Sequence, residues 1–157
     1  MVDPIITPTT PRDIEEILPL LRKEDIRECH SISGIEPRKA LYTGLLTSKR
    51  TYTLRDADGA IAGITGVVPM SPKGVAAVWL LGTTLIQSKP VTFIRHSKLC
   101  IDTLFNEFHT LVNVADSRNE VHLRWLRFMG FSLIRRVPGY GVDGSEVVEF
   151  ARINSNV

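Results

Sequence analysis

At 157 residues, 43% of them hydrophobic and 23% charged, the chain can bury a core without disulfides or metal and is too apolar for wholesale disorder. A formal net charge of +2 excludes nucleic-acid binding by bulk electrostatics, which would need a clustered basic face. No apolar run is long enough to span a bilayer, and Met1-Val2-Asp3-Pro4 carries neither a basic nor an apolar leader, so a soluble protein made in the cytoplasm is expected. Residues 1–11, with Pro4, Pro8 and Pro11, read as an extended lead-in that ends in a short first strand. Thr10 and Pro11 open a helix with Ile14, Ile17, Leu18 and Leu21 on one stripe, which Pro19 should kink or split. A second helix begins near Glu36-Pro37 and carries Ala40, Leu41 and Leu45 on one side.

Strands at 50–55 and 60–68 flank Asp56-Ala57-Asp58-Gly59, a hairpin signal. A third strand runs from 75 to about 85, its continuous apolar run suited to a central position covered on both faces. Ser88-Lys89-Pro90 starts the longest helix, to about His109, with a stripe from Phe93 to Phe108. A strand at 110–115 follows. Ser117-Arg118-Asn119-Glu120 then reads as a capping box for a helix that buries Val121, Trp125, Phe128 and Met129 and stops at Gly130. Strands at 131–137 and 146–153 close the chain. With no repeat and no long linker, this is one α/β domain over 1–157, a mixed, twisted sheet of six to seven strands with helices on both faces.

Cys29 and Cys100 are far apart and make no metal spacing with each other or with His30, His96 and His109, so buried free thiols are expected and zinc is not. Arg118, Arg124, Arg127, Arg135 and Arg136 form a late basic cluster that suits an acidic partner, a phosphate backbone or a mixed-charge surface equally, with Arg124 expected to pair with Glu120.

The order of elements resembles that of GNAT acetyltransferases, which carry a strand and then a helix patterned N-x-x-A-x-x-x-Y-x-x-x-G-F. Asn119, Gly130 and Phe131 match that pattern, whereas His122 stands for its alanine and Leu126 for its tyrosine. The segment 114–119, with His122, Trp125, Leu126, Gly130 and Phe131, further resembles the internal virion protein A group of short-tailed bacteriophages. So does Leu21-Arg22-Lys23-Glu24-Asp25-Ile26-Arg27-Glu28, where an arginine, an aspartate and a glutamate fall on consecutive turns. The resemblance implies a phage gene product in host cytoplasm and in the virion, whose partners are other virion proteins or a host protein, with oligomerisation open.

An acetyl-CoA site of that fold uses a glycine-rich turn, Q/R-x-x-G-x-G/A, whose backbone amides hold the pyrophosphate at a helix N-terminus. The corresponding segment here is Gly82-Thr83-Thr84-Leu85-Ile86-Gln87-Ser88-Lys89-Pro90, without a glycine pair and with Pro90 lacking an amide donor. The only G-x-G, Gly139-Tyr140-Gly141, lies in the terminal hairpin. Leu126 cannot supply the proton that the family's tyrosine gives. The cofactor candidates are therefore Gly82, Thr83, Ser88, Lys89 and Asn119, and the catalytic candidates are Glu24, Asp25 and His122, with Glu28 on the same helix face. Lys89 reads as a phosphate contact or as a loop lysine, and the acidic residues as a base or as a solvated face. The expected function is a structural or assembly component of the virion with no cofactor. The alternatives are an N-acyltransferase that uses acetyl-CoA and a host-directed inhibitor.

Overall fold

The structure, a computed structural model, describes residues 5–154, so the leader reading at Met1–Pro4 lies outside the described residues. The lead-in contributes an edge strand, β1 (Ile5–Pro8), and Thr10 caps α1 (Pro11–Ile17) with a complete capping box to Asp13. Pro19 splits the first helix as expected. A 3-10 turn (Leu18–Leu20) leads into an extended link at Leu21 and Arg22, from which α2 (Lys23–Glu28) starts and runs into a π-turn (Cys29–Ser33) closed by Gly34 at φ 66°. Helix α3 (Pro37–Thr47) then places Leu41 against the sheet.

Seven strands form one mixed sheet in the order β1, β2 (Arg50–Arg55), β3 (Ile61–Pro69), β4 (Val75–Gly82), β5 (Thr110–Asp116), β7 (Val147–Ile153), β6 (Ser132–Val137). All neighbours are antiparallel except β4 and β5. That parallel pair is in register only from Val75–Thr110 to Ala77–Val112. Beyond it the two strands part, and Asn113 Nδ2 spans the opening to Val78 O at 2.9 Å. Helices cover both faces. On one, Ile14, Ile17 and Leu41 pack on Ile61, Ile64 and Leu81; on the other, Ile101, Leu104, Leu123 and Leu126 pack on Val67, Val78 and Leu111. Both cysteines are free and buried, and burial pushes the Cys29 thiol up to about 12 and the Cys100 thiol to about 11.

Three boundaries and the buried face of one helix differ from expectation. Strand β4 stops at Gly82 rather than near 85: Leu85 and Ile86 enter the core from a helical turn, α4 (Leu85–Ser88). Helix α5 runs from Pro90 to Leu104 rather than to His109, although Phe105 and Phe108 still pack on the core beyond its end. Helix α6 (Glu120–Phe128) is capped by Asn119 rather than Ser117, because Ser117 N–H continues the sheet to Glu146 O. Its buried residues are Leu123 and Leu126, with Met129 beyond its end; Phe128 is exposed, and Val121 and Trp125 are half-buried.

Candidate functional site

The link at Leu21 and Arg22 settles where α2 sits. Leu21 bridges to Thr83, and Arg22 N–H donates to Gly82 O at 3.0 Å, which docks the start of α2 on the end of β4. From there Arg22, Asp25 and Glu28, spaced along the segment at i, i+3 and i+6, reach the mouth between the parted strands. Asp25 Oδ2 accepts from Gly82 N–H at 2.9 Å, and Glu28 Oε1 accepts from Asp116 N–H at 3.0 Å. One helix turn therefore tethers the ends of both diverging strands.

Asn119 completes the cluster. Its amide Nδ2 donates to Glu28 Oε2 at 2.9 Å and to Asp25 Oδ1 at 3.3 Å, while its Oδ1 accepts from Arg22 Nη2 at 3.2 Å and from His122 N–H at 3.4 Å. Arg22, Asp25 and Asn119 are at most 4% exposed. His122 Nδ1 lies 3.7 Å from Glu28 Oε2. Beside this group, buried Asp116 accepts from Ser31 Oγ at 3.2 Å and from Arg118 Nη2 at 2.7 Å.

Charges in the cluster are set by its partners. Burial lifts the Asp25 carboxyl above its ordinary value, against the pull of Arg22 and His122. Burial pushes Glu28 the same way, but His122, Asn119 and the Asp116 amide outweigh it and hold Glu28 below 4.5. Burial pulls His122 down, yet Glu28 and Asp25 overcome both that and Arg22, so the imidazole stays above 6.5. A raised histidine stabilises the fold fully below pH 6.5, and this support is lost as pH rises through its folded value. We expect the melting temperature to decline as pH rises above 6.5, and His122→Gln to remove that decline in thermal unfolding across pH 6 to 9.

Glu28 and His122 are the charged residues of an otherwise mostly apolar cavity of about 300 Å³ between the parted strands, walled by Ile32, Ile35, Val78, Trp79 and Phe150. A second cavity of similar size lies between α5 and α6, bordered by Pro90, Phe93, Ile94, Trp125 and Phe128.

The turn after β4 is where acetyl-CoA phosphates would need free amides. Leu85 N–H donates to Thr83 Oγ1 at 3.3 Å, and the N–H groups of Ile86, Gln87, Ser88 and Lys89 donate to the carbonyls of Thr83, Thr84, Thr84 and Leu85 at 2.9–3.2 Å. Gly82 N–H is held by Asp25, Thr83 N–H by Ala62 O, and Pro90 has none. Ser88 is exposed, and Lys89 Nζ is paired with Asp56 at 2.9 Å. The turn therefore lacks the glycines of such a loop, and the amides of Gly82, Thr83 and Leu85 to Lys89 are engaged within the protein.

Of the sequence candidates, the structure brings together Asp25, Glu28, Asn119, His122 and the Gly82 amide. Glu24 stays at the rim, 3.7 Å from Arg22, and Thr83, Ser88 and Lys89 belong to the turn. Leu126 is 1% exposed within the core. Arg118, Arg135 and Arg136 pair with Asp116, Glu149 and Glu146, which makes a mixed-charge surface; among the described residues no ion pair joins Arg124 to Glu120. No group of side chains among the described residues could hold a metal ion, and no described helix is long and apolar enough to cross a membrane. Arg22 and Asp116 were not singled out as site residues. The arginine–aspartate–glutamate spacing was the one signal for Arg22, and nothing in the sequence marks Asp116 as buried.

No family model matches the sequence, and no curated protein matches it as a relative. Solved structures do match. A GNAT-family acetyltransferase from Bacillus anthracis is 10% identical, with a TM-score of 0.72 over 97% of this chain and 95% of its own. Spermidine N-acetyltransferase from Vibrio cholerae, solved with CoA and spermine, is 16% identical, with a TM-score of 0.73 over 98% and 96%. Ribosomal-protein-S5-alanine acetyltransferase from Vibrio fischeri is 15% identical, with a TM-score of 0.70 over 99% and 96%. The chain has the GNAT acetyltransferase fold.

Proposed function

We propose that this GNAT fold works without acetyl-CoA, as a binding and assembly module of a tailed bacteriophage that engages another virion protein or a host protein. One observation carries the reading: in the turn after β4 the amides of Gly82, Thr83 and Leu85 to Lys89 are engaged within the protein, no glycine pair opens the backbone, and Pro90 has no amide to offer. The buried cluster supports it, since Arg22, Asp25, Asn119 and Glu28 are engaged mainly with each other and with strand ends. These bonds tie α2 and the start of α6 to the strand ends, although Arg22 Nε and His122 Nδ1 are buried without a hydrogen-bond partner among the described residues. The phage assignment rests on the resemblance of segments 21–28 and 114–131. Mass spectrometry of purified virions of the source phage should find this chain at a reproducible copy number; particles that never contain it would overturn the virion role.

A second reading, an N-acyltransferase, is favoured by one observation. Glu28 and His122 face a cavity large enough for a small substrate, and a carboxyl group 3.7 Å from an imidazole nitrogen can hold and pass a proton. The GNAT acetyltransferases with the same fold support this reading, but fold alone does not carry chemistry.

A further inference from the structure

Between α5 and the sheet lies a small space of about 10 Å³, bordered by Leu54, Thr65, Leu80, Ser97, Ile101 and Trp125. Two of its polar groups, Ser97 Oγ and Trp125 Nε1, are buried without a hydrogen-bond partner among the described residues. An unpaired buried donor costs about 1–3 kcal/mol, so two on one cavity call for a shared partner. A third polar group is also there: Thr65 Oγ1 spends its proton on Trp79 O at 2.7 Å and keeps its lone pairs.

We infer that this cavity is a binding site for one internal water molecule, held by Trp125 Nε1, Ser97 Oγ and Thr65 Oγ1. The chemistry is complementary. The indole N–H can only donate, the Thr65 oxygen is left to accept, and the Ser97 hydroxyl does either, so a single water meets all three. The volume is that of about one water, and three partners is the usual number for a buried one. A cavity lined only by Leu54, Leu80 and Ile101 would stay dry; the three polar groups make the difference.

The water fixes a residue that matters to both cavities. The Trp125 ring borders the groove between α5 and α6, and it packs against His122 with centroids 5.7 Å apart and against Phe93 at 5.9 Å. Its indole N–H is therefore anchored, through the water, to α5 and β3, and the ring stands as a fixed partition beside His122.

A crystal structure at a resolution that shows ordered water should place one peak within hydrogen-bond distance of both Ser97 Oγ and Trp125 Nε1. Ser97→Ala removes one of three bonds to that water and should lower the melting temperature by about 2–4 °C. A dry site makes the opposite prediction, because deleting an unpaired buried hydroxyl is neutral or stabilising. An empty cavity in the density, or an S97A protein that melts at or above the parent, would overturn the inference.

Discussion

Asn119→Ala should lower the melting temperature by about 10 °C in thermal unfolding followed by circular dichroism. The substitution removes the N-cap of α6, worth about 1 kcal/mol. It also strips Arg22 and Glu28 of hydrogen bonds at 3.2 and 2.9 Å, each to a charged and largely buried group, and such bonds are worth about 1.5–3 kcal/mol apiece. Allowing for relaxation, a loss of about 3–4 kcal/mol is expected, and each kcal/mol moves the midpoint of a domain this size by about 2–4 °C. Asn119→Ser, which keeps a capping oxygen and cannot bridge Arg22 to Glu28, should recover only the cap. A fall of less than about 3 °C in the alanine variant would mean that the buried cluster does not hold α2 and α6 together.

Gly66→Ala should cost about 3 kcal/mol, read as a lower midpoint in denaturant. A Cβ at Gly66 would lie 2.5 Å from the Trp79 ring, and one at Gly44 would meet the same ring from α3 at the same distance, so the indole is held between two backbones with no room to slide. Moving it breaks the bond from Trp79 Nε1 to Ser48 Oγ at 2.9 Å, about 1 kcal/mol, on top of about 1–3 kcal/mol for overpacking. Trp79 also walls the cavity that contains Glu28 and His122, so this variant should lose cavity shape together with stability. A midpoint unchanged from the parent would show that the ring can shift freely.

Much of the fold was legible because single residues punctuate it. Pro19 split the first helix, Gly59 turned the first hairpin, and the Asn119-to-Phe131 spacing put a strand, a helix and a strand in the right order. Boundaries failed where two structures suit the same residues. The strand read from 75 to about 85 continues past its apolar core into Thr83, Thr84 and Leu85, which suit a strand. Yet Leu85 and Ile86 reach the core equally well from a helical turn, and so short a segment has no period to separate the two. Ser117 fits a capping pattern but is claimed by a strand partner 29 residues later, which no local rule contains.

The site was legible in halves. Arg22, Asp25 and Glu28 share a helix face in the sequence, as do Asn119 and His122 at the start of α6. What joins them is contact across separations of 94 and 97 residues. Without that contact an acidic face on a short helix reads as solvated; with it, Asp25 is 4% exposed and holds the end of β4. That the turn after β4 has no glycine pair and contains Pro90 is plain in the sequence; which partners the amides of Leu85 to Lys89 take is not.

The central claim is that this cleft does not take acetyl-CoA, and the most direct measurement is thermal unfolding with and without millimolar acetyl-CoA. A ligand present at about 100 times its dissociation constant adds about 2.7 kcal/mol to stability, which would raise the midpoint by about 5–10 °C. The committed amides of Leu85 to Lys89 and the absent donor at Pro90 predict no shift. A rise of about 5 °C or more would contradict the account and make Glu28 and His122 the residues to test for proton transfer.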